Sequence, residues 1–231
     1  ALCYGEGEET IKDLYKFVHG KKKLEDIPNL IFKKNGEIVK TDRKFIENLD
    51  SLPIPVYEKD IYLKIEEKLP MIVLDESRGC PNSCYFCIHP IKSGKRREKS
   101  PGRIVEEIKH SIERYGVRLF RYAGSNTPVH LMEEVAKLIL ENGLKIKYTS
   151  FGHFKDMKDG NFSLLKKSGC EALFFGVESA NEEILEKGMN KKIKKKEMEE
   201  VLKDCKSAGI FTVVSLIYPA PFENEKTRQE T

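Results

Sequence analysis

A chain of 231 residues can bury the core of one large domain, or of one domain with an appendage. Its 41 basic residues nearly balance its 37 acidic ones, so the net charge of +4 gives little support to a nucleic-acid partner. Six cysteines, three of them within eight residues, do not have the spacing of a secreted disulfide framework and read as a reducing cytoplasm. No basic-then-apolar leader opens the sequence, and no apolar run approaches the length of a bilayer span, so a soluble protein without membrane contact is expected.

In chain order, "GEGEETIKDLYKFVHG" predicts a short helix with acidic residues in its first turn and Leu14, Phe17 and Val18 on one side, ending at Gly20. "NLIFKKNGEIVKT" predicts a hairpin turning at Asn35-Gly36. "LDSLPIPVYEKD" carries Pro53 and Pro55 and reads as an extended linker. Residues 1–69 cannot make a large core alone and are set apart from residues 70–231.

From Pro70 the pattern alternates. "MIVLDES" reads as a strand, a cysteine-bearing loop follows, and Ser100 caps a helix whose Ile104, Ile108, Ile112 and Tyr115 share a face. "VRLFRYAGS", "LKIKYTS", "EALFFGVES" and "IFTVVSLIY" read as four more strands, separated by helices, the last over residues 192–208 with Met198, Val201, Leu202 and Cys205 inward. Such alternation implies βα units around a parallel sheet. "KKIKKKEMEE" reads as the solvated start of a helix, and the basic loop "KSGKRREKS" as a solvated loop in preference to a site for an anionic substrate.

The loop "SRGCPNSCYFCIHP" places Cys80, Cys84 and Cys87 just past the first strand of the alternating region, where parallel α/β folds carry function. Three thiolates suit zinc or an iron-sulfur cluster, and position alone does not choose. A zinc loop would recruit His89 as a fourth ligand in C-x3-C-x2-C-x-H. An electron-transfer iron-sulfur protein would normally supply a fourth cysteine, and Cys3, Cys170 and Cys205 lack that spacing.

The run resembles the C-x3-C-x-aromatic-C motif of the radical S-adenosylmethionine (SAM) superfamily, with Phe86 as the aromatic residue. The resemblance implies a partial (β/α)6 TIM-like barrel, truncated after the fifth strand, before a further helix or sixth strand can form. It also implies a [4Fe-4S] cluster held by Cys80, Cys84 and Cys87, whose fourth iron is chelated by the amino and carboxylate groups of SAM. Phe86 would then cover the adenine. "AGS" stands where the family has a Gly-Gly-Glu-like motif for the SAM amino group, retaining Gly124 and departing at Ala123 and Ser125. "GVESA" resembles the "GIES"-type segment, which makes Glu178 a SAM contact, and "SLIYPAPFE" resembles "GxIxGxPxE", which sets Ile217 near the adenine. The implied activity is reductive cleavage of SAM to a 5′-deoxyadenosyl radical, with a reductant such as flavodoxin or ferredoxin as partner. The substrate is not legible.

"GEGEETI", the hairpin and the proline linker together resemble the junction of radical SAM enzymes that carry an upstream cobalamin-binding domain. Residues 1–69 are therefore expected to be the C-terminal remnant of such a domain, its first strand entering from a sheet outside this chain. A cobalamin-dependent methyltransferase or cyclase in full length is implied. The cobalt-ligating D-x-H-x-x-G is absent from this sequence.

Overall fold

The computed structural model describes residues 1–58 and 70–231; the expected boundary at 69/70 and the end of the proline linker at residues 59 and 60 lie outside the described residues. The front segment runs through strand β1 (Leu2–Cys3), helix α1 (Glu8–Val18) and a hairpin of β2 (Leu30–Lys34) and β3 (Glu37–Lys40). Asn35 and Gly36 turn the hairpin with φ of 50° and 91°, the positive values a type I′ turn needs. β1 pairs antiparallel with β2, Leu2 against Ile31. The apolar opening is thus a strand, as expected, but it joins this local sheet.

The expected apolar side of α1 is corrected. Phe17 and Val18 are 40% and 77% exposed, whereas Thr10 and Asp13 are buried. Polar contacts set the inward face: Thr10 Oγ1 donates to the Pro28 carbonyl at 3.1 Å, and the Asp13 carboxylate takes the ammonium groups of Lys16 and Lys22. Leu14 joins the small core of Ile27, Leu30 and Phe32.

The remaining chain builds the sheet that carries the site. β4 (Ile72–Leu74) leads into β5 (Ser77–Arg78), the cysteine loop, α2 (His89–Ser93) and β6 (Arg97–Glu98). Next come α3 (Pro101–Tyr115), β7 (Leu119–Tyr122), α4 (Val129–Glu141), β8 (Lys147–Gly152), α5 (Phe154–Met157) and α6 (Phe162–Lys167). β9 (Cys170–Glu178), α7 (Lys195–Ser207), β10 (Phe211–Leu216) and α8 (Glu225–Glu230) close the chain. Five strands lie in the order β10-β9-β8-β7-β4, all parallel. This is the partial TIM-like barrel the sequence leads one to expect, with its strand C-termini gathered along one rim.

Helix α3 is capped as predicted: the Ser100 hydroxyl accepts from Arg103 N–H at 3.2 Å, and Gly116 ends the helix in the left-handed region. Its Ile104 and Ile108 are buried in a core shared with Phe120, Val135, Leu173 and Val201. The linker is tied to the same helix end, since the Asp50 carboxylate accepts from Ser100 N–H at 2.8 Å and the Leu52 carbonyl from the Arg103 guanidinium at 2.7 Å.

Two boundaries differ from expectation. α7 begins at Lys195 and not at residue 192, because Lys191 and Ile193 are drawn inward. A helix does form beyond the fifth strand: α8 is capped by Asn224, whose Oδ1 accepts from Thr227 N–H at 3.1 Å. β10 nevertheless stands at the end of the sheet, with Phe211, Val214 and Leu216 69%, 44% and 56% exposed.

An open strand edge with apolar side chains favours pairing between copies. Light scattering of this chain should show association that grows with concentration, and Val214→Lys should reduce it. A monodisperse monomer at all concentrations would contradict the reading of this edge.

Candidate functional site

The cysteine loop is a stem-loop raised on the rim. β5 and β6 form its antiparallel stem, Ser77 opposite Glu98. Gly79 has φ of 82°, and a Cβ there would lie 2.1 Å from the Lys95 carbonyl oxygen, so the stem closes only around glycine. Above it Cys80 N–H donates to the Gly94 carbonyl at 3.2 Å. The far side of the loop is held from another part of the barrel: Asn190 Nδ2 donates to Ser83 O and Oγ, both at 2.9 Å, and Tyr85 N–H to the Met189 carbonyl at 3.0 Å.

The basic loop is solvated only in part, at Lys92 and Lys95, and its other basic residues correct that expectation. Arg97 grips the Glu6 carboxylate through both Nη atoms (3.0 and 2.8 Å), Arg96 pairs with Asp156, and Lys99, 3% exposed, pairs with Glu107 at 2.8 Å. These charges serve packing, because the stem sits between the front segment and α3. Arg78 extends the same clamp to Glu8 at 2.6 Å.

Cys80, Cys84 and Cys87 are half-buried; burial pushes the Cys84 thiol up, the charge of Lys191 opposes this, and Cys87 and Cys80 raise it further. A thiol buried between two others, as Cys84 is, gains from a cationic centre among them. The donor set therefore fits an iron-sulfur cluster, which spreads its cysteines over separate irons. A zinc loop would need the three sulfurs and His89 on one ion. Among the described residues no three His, Cys, Asp or Glu side chains are gathered that tightly, and His89 heads α2, exposed. Cys170 and Cys205 are buried in the core, Cys205 as expected, their thiols pushed up to about 12 by burial, and Cys3 is exposed.

The other expected residues fall on the same rim. Phe86 is 48% exposed beside the thiols. Gly124 lies in the turn after β7, and a Cβ there would lie 2.2 Å from Ser77 Oγ. Glu178 ends β9 with φ of 64°, and Ser179 N–H bonds back to the Val177 carbonyl at 2.8 Å. That is a γ-turn with a left-handed centre, a strained device for aiming a side chain. Ile217 N–H donates to the Glu178 carbonyl at 3.0 Å, so these two residues are joined directly. Ala123 and Ser125 line a cavity of about 530 Å³ with Gly79, Arg78 and His89, within the size range of small-molecule sites.

Five polar residues at this rim escape the sequence reading. Lys191, inside the stretch taken as a solvated helix start, is 5% exposed and pairs with Glu178 at 3.1 Å. Ser215 Oγ donates to the other Glu178 oxygen at 3.3 Å. Asn126, 4% exposed, lies 3.5 Å from the Cys80 sulfur. His153, after β8, lines a cavity of about 190 Å³ with Cys84, Lys155 and Lys191; its Nδ1 has no hydrogen-bond partner among the described residues. Glu76, fully buried two residues past β4, is the fifth. The one sequence signal for it is its place just after an apolar strand.

Residues 77–231 match the family model of the Radical SAM superfamily. An uncharacterized methyltransferase of Pyrococcus horikoshii is 30% identical over all of this chain and half of its own length. A tRNA-2-methylthio-N(6)-dimethylallyladenosine synthase of Clostridium botulinum is 27% identical over 96% of the chain and 51% of its own. The chain thus spans about half the length of these curated relatives. Among solved structures, the cobalamin-dependent SAM radical enzyme OxsB superposes on 99% of the chain with a TM-score of 0.83, at 20% identity and over 34% of its own chain. The radical SAM methyltransferase TsrM of Kitasatospora setae, with cobalamin and a [4Fe-4S] cluster bound, gives 0.81 at 16% identity, over 97% of this chain and 48% of its own. At these identities the two share the fold, including that of the front segment. No helix among the described residues is long and apolar enough to cross a membrane.

Two predictions concern the buried charges. Lys191→Met would leave the Glu178 carboxylate buried without its ammonium and should cost about 3–5 kcal/mol in denaturant unfolding; a loss under about 1 kcal/mol would show that the pair is not buried in solution. Burial, helped by the Lys191 charge, lowers His153 from 6.5 to about 4 against the opposing pull of Asp156. His153 is neutral when folded and protonates first in the unfolded chain, so its contribution is intact above pH 6.5 and is lost as pH falls toward 4. The loss is at most about 3 kcal/mol. His153→Gln should flatten stability across that window in urea titrations, and an unchanged pH dependence would contradict the assignment.

Proposed function

The chain belongs to the radical SAM superfamily, and on that premise we propose that Cys80, Cys84 and Cys87 ligate a [4Fe-4S] cluster whose open iron binds SAM. The observation that carries this reading is three half-buried thiols on one pinned loop at the C-terminal rim of a parallel half-barrel. Held by these three cysteines, such a cluster would supply the electron for reductive cleavage of SAM to methionine and a 5′-deoxyadenosyl radical, which would take hydrogen from the substrate. The chain's own residues bind and orient. Phe86, half-exposed, offers a face for the adenine; the turn at Gly124 meets the amino group; Glu178 and Ile217, joined through one backbone hydrogen bond, hold the ribose or methionine part and the adenine. A cavity of about 530 Å³ lies beside this turn, lined by Ala123 and Ser125 on either side of Gly124.

For the full-length protein we propose a cobalamin-dependent methyltransferase or cyclase. The likeness of the whole chain to OxsB and TsrM, and its relation to a methyltransferase and a methylthiolating synthase, support this. Residues 1–69 are then the last part of an upstream cobalamin-binding-type domain with its linker, and residues 70–231 the incomplete radical SAM core. A low-potential reductant such as flavodoxin or ferredoxin would supply the electron. Six free cysteines accord with a reducing cytoplasm.

Anaerobic reconstitution should give about four irons per chain, and Cys84→Ala should lose them. Adding SAM to the reduced wild type should change the electron paramagnetic resonance spectrum. Full iron content in the Cys84 variant, or bound zinc in place of iron, would overturn the ligand assignment.

A further inference from the structure

Glu76 is 0% exposed, and its carboxylate collects donors from three sides. Thr127 Oγ1 donates to it at 2.6 Å, Ala123 N–H at 2.8 Å, Gly124 N–H at 3.0 and 3.1 Å, and Ser77 Oγ at 3.1 Å. Burial raises its pKa, while the bonds from Thr127, Gly124 and Ala123 pull the other way. Buried so completely, Glu76 touches no ligand; whatever it does passes through the turn it holds.

The geometry of that turn follows from the peptide bond. In a trans peptide the N–H and the preceding C=O point in opposite directions. With Gly124 N–H fixed on Glu76, the Ala123 carbonyl is aimed away from Glu76. Ala123 is also one of the residues lining the 530 Å³ cavity. The space on the carboxylate side is closed, since a Cβ on Gly124 would lie 2.3 Å from Glu76 Oε1. An amino group needs an acceptor, and the Ala123 carbonyl is one.

The turn departs from the family pattern by carrying Ser125 where an acidic residue is expected, and the Ser125 hydroxyl is spent on the Gly79 carbonyl at 2.8 Å. We infer that Glu76, from the neighbouring strand end, supplies the missing carboxylate: it is a positioning residue that orients the Ala123 carbonyl toward the amino group of SAM. The inference rests on the SAM-binding reading above and adds the residue that shapes that site.

The test is Glu76→Gln in the reconstituted chain, followed by electron paramagnetic resonance titration with SAM and with a SAM analogue lacking the amino group. Expected are unchanged iron content, SAM binding about tenfold weaker, and a smaller preference for SAM over the analogue than in the wild type. A merely structural role would weaken both ligands equally and leave the preference intact, which would overturn the inference. So would unchanged SAM affinity. Should the Gln variant not fold, Thr127→Val removes one donor to the carboxylate, and the preference should narrow in the same direction; an unaltered preference at full iron content would overturn the inference through this variant. A wild type that holds four irons yet ignores SAM would fail at the earlier reading, and the two failures are thereby distinguished.

Discussion

A carboxylate kept out of water at the end of β4 organises the rim on which the rest of the site is arranged. Desolvating Glu76 is costly unless its oxygens are met by donors, and the donors come from the β5 start, the turn after β7 and the segment entering α4. Thr127 passes the constraint to β8, its hydroxyl lying 2.7 Å from Ser150 Oγ. Three strand ends are thus held in register by one side chain. Gly124 is the consequence: only a residue without a Cβ lets the turn approach that carboxylate.

The cysteine loop has a different kind of support, made of backbone and side-chain hydrogen bonds. It is gripped at its base by the β5–β6 stem and on its far side by Asn190 and Met189, which follow a π-helical turn over Ile184–Gly188. Lys191, the next residue, turns back to Glu178. One short segment therefore links the loop to the end of β9, and through Ile217 to the end of β10. Glu6 and Glu8 clamp the front segment onto Arg97 and Arg78 of the stem, which makes the acidic "GEGEE" stretch a tertiary contact as well as the start of a helix.

The parts of this arrangement that repeat with a period were legible in the sequence. Five strands, the Asn35-Gly36 hairpin, the Ser100 cap and the Ile104–Ile108 face follow from alternation, turn chemistry and helical spacing, which act over a few residues. The residues misread are charged ones whose state depends on distant partners. Lys191, Lys99 and Arg97 look like surface residues because their neighbours in sequence are basic; each is buried or shielded by a carboxylate 8 to 91 positions away. Glu76 and Asn126 are legible only once the strand ends are assembled. Likewise Phe17 and Val18 fit an inward face by spacing, but Thr10 and Asp13 hold polar partners that turn the helix the other way.

On the proposed reading, three thiols leave one iron open and SAM fills it through its amino and carboxylate groups. Electron-nuclear double resonance of the reduced, reconstituted chain with SAM labelled by 15N at the amino group addresses that bond itself. A strong hyperfine coupling between the label and the cluster is expected. A fully loaded cluster that shows no such coupling while SAM is bound would contradict it.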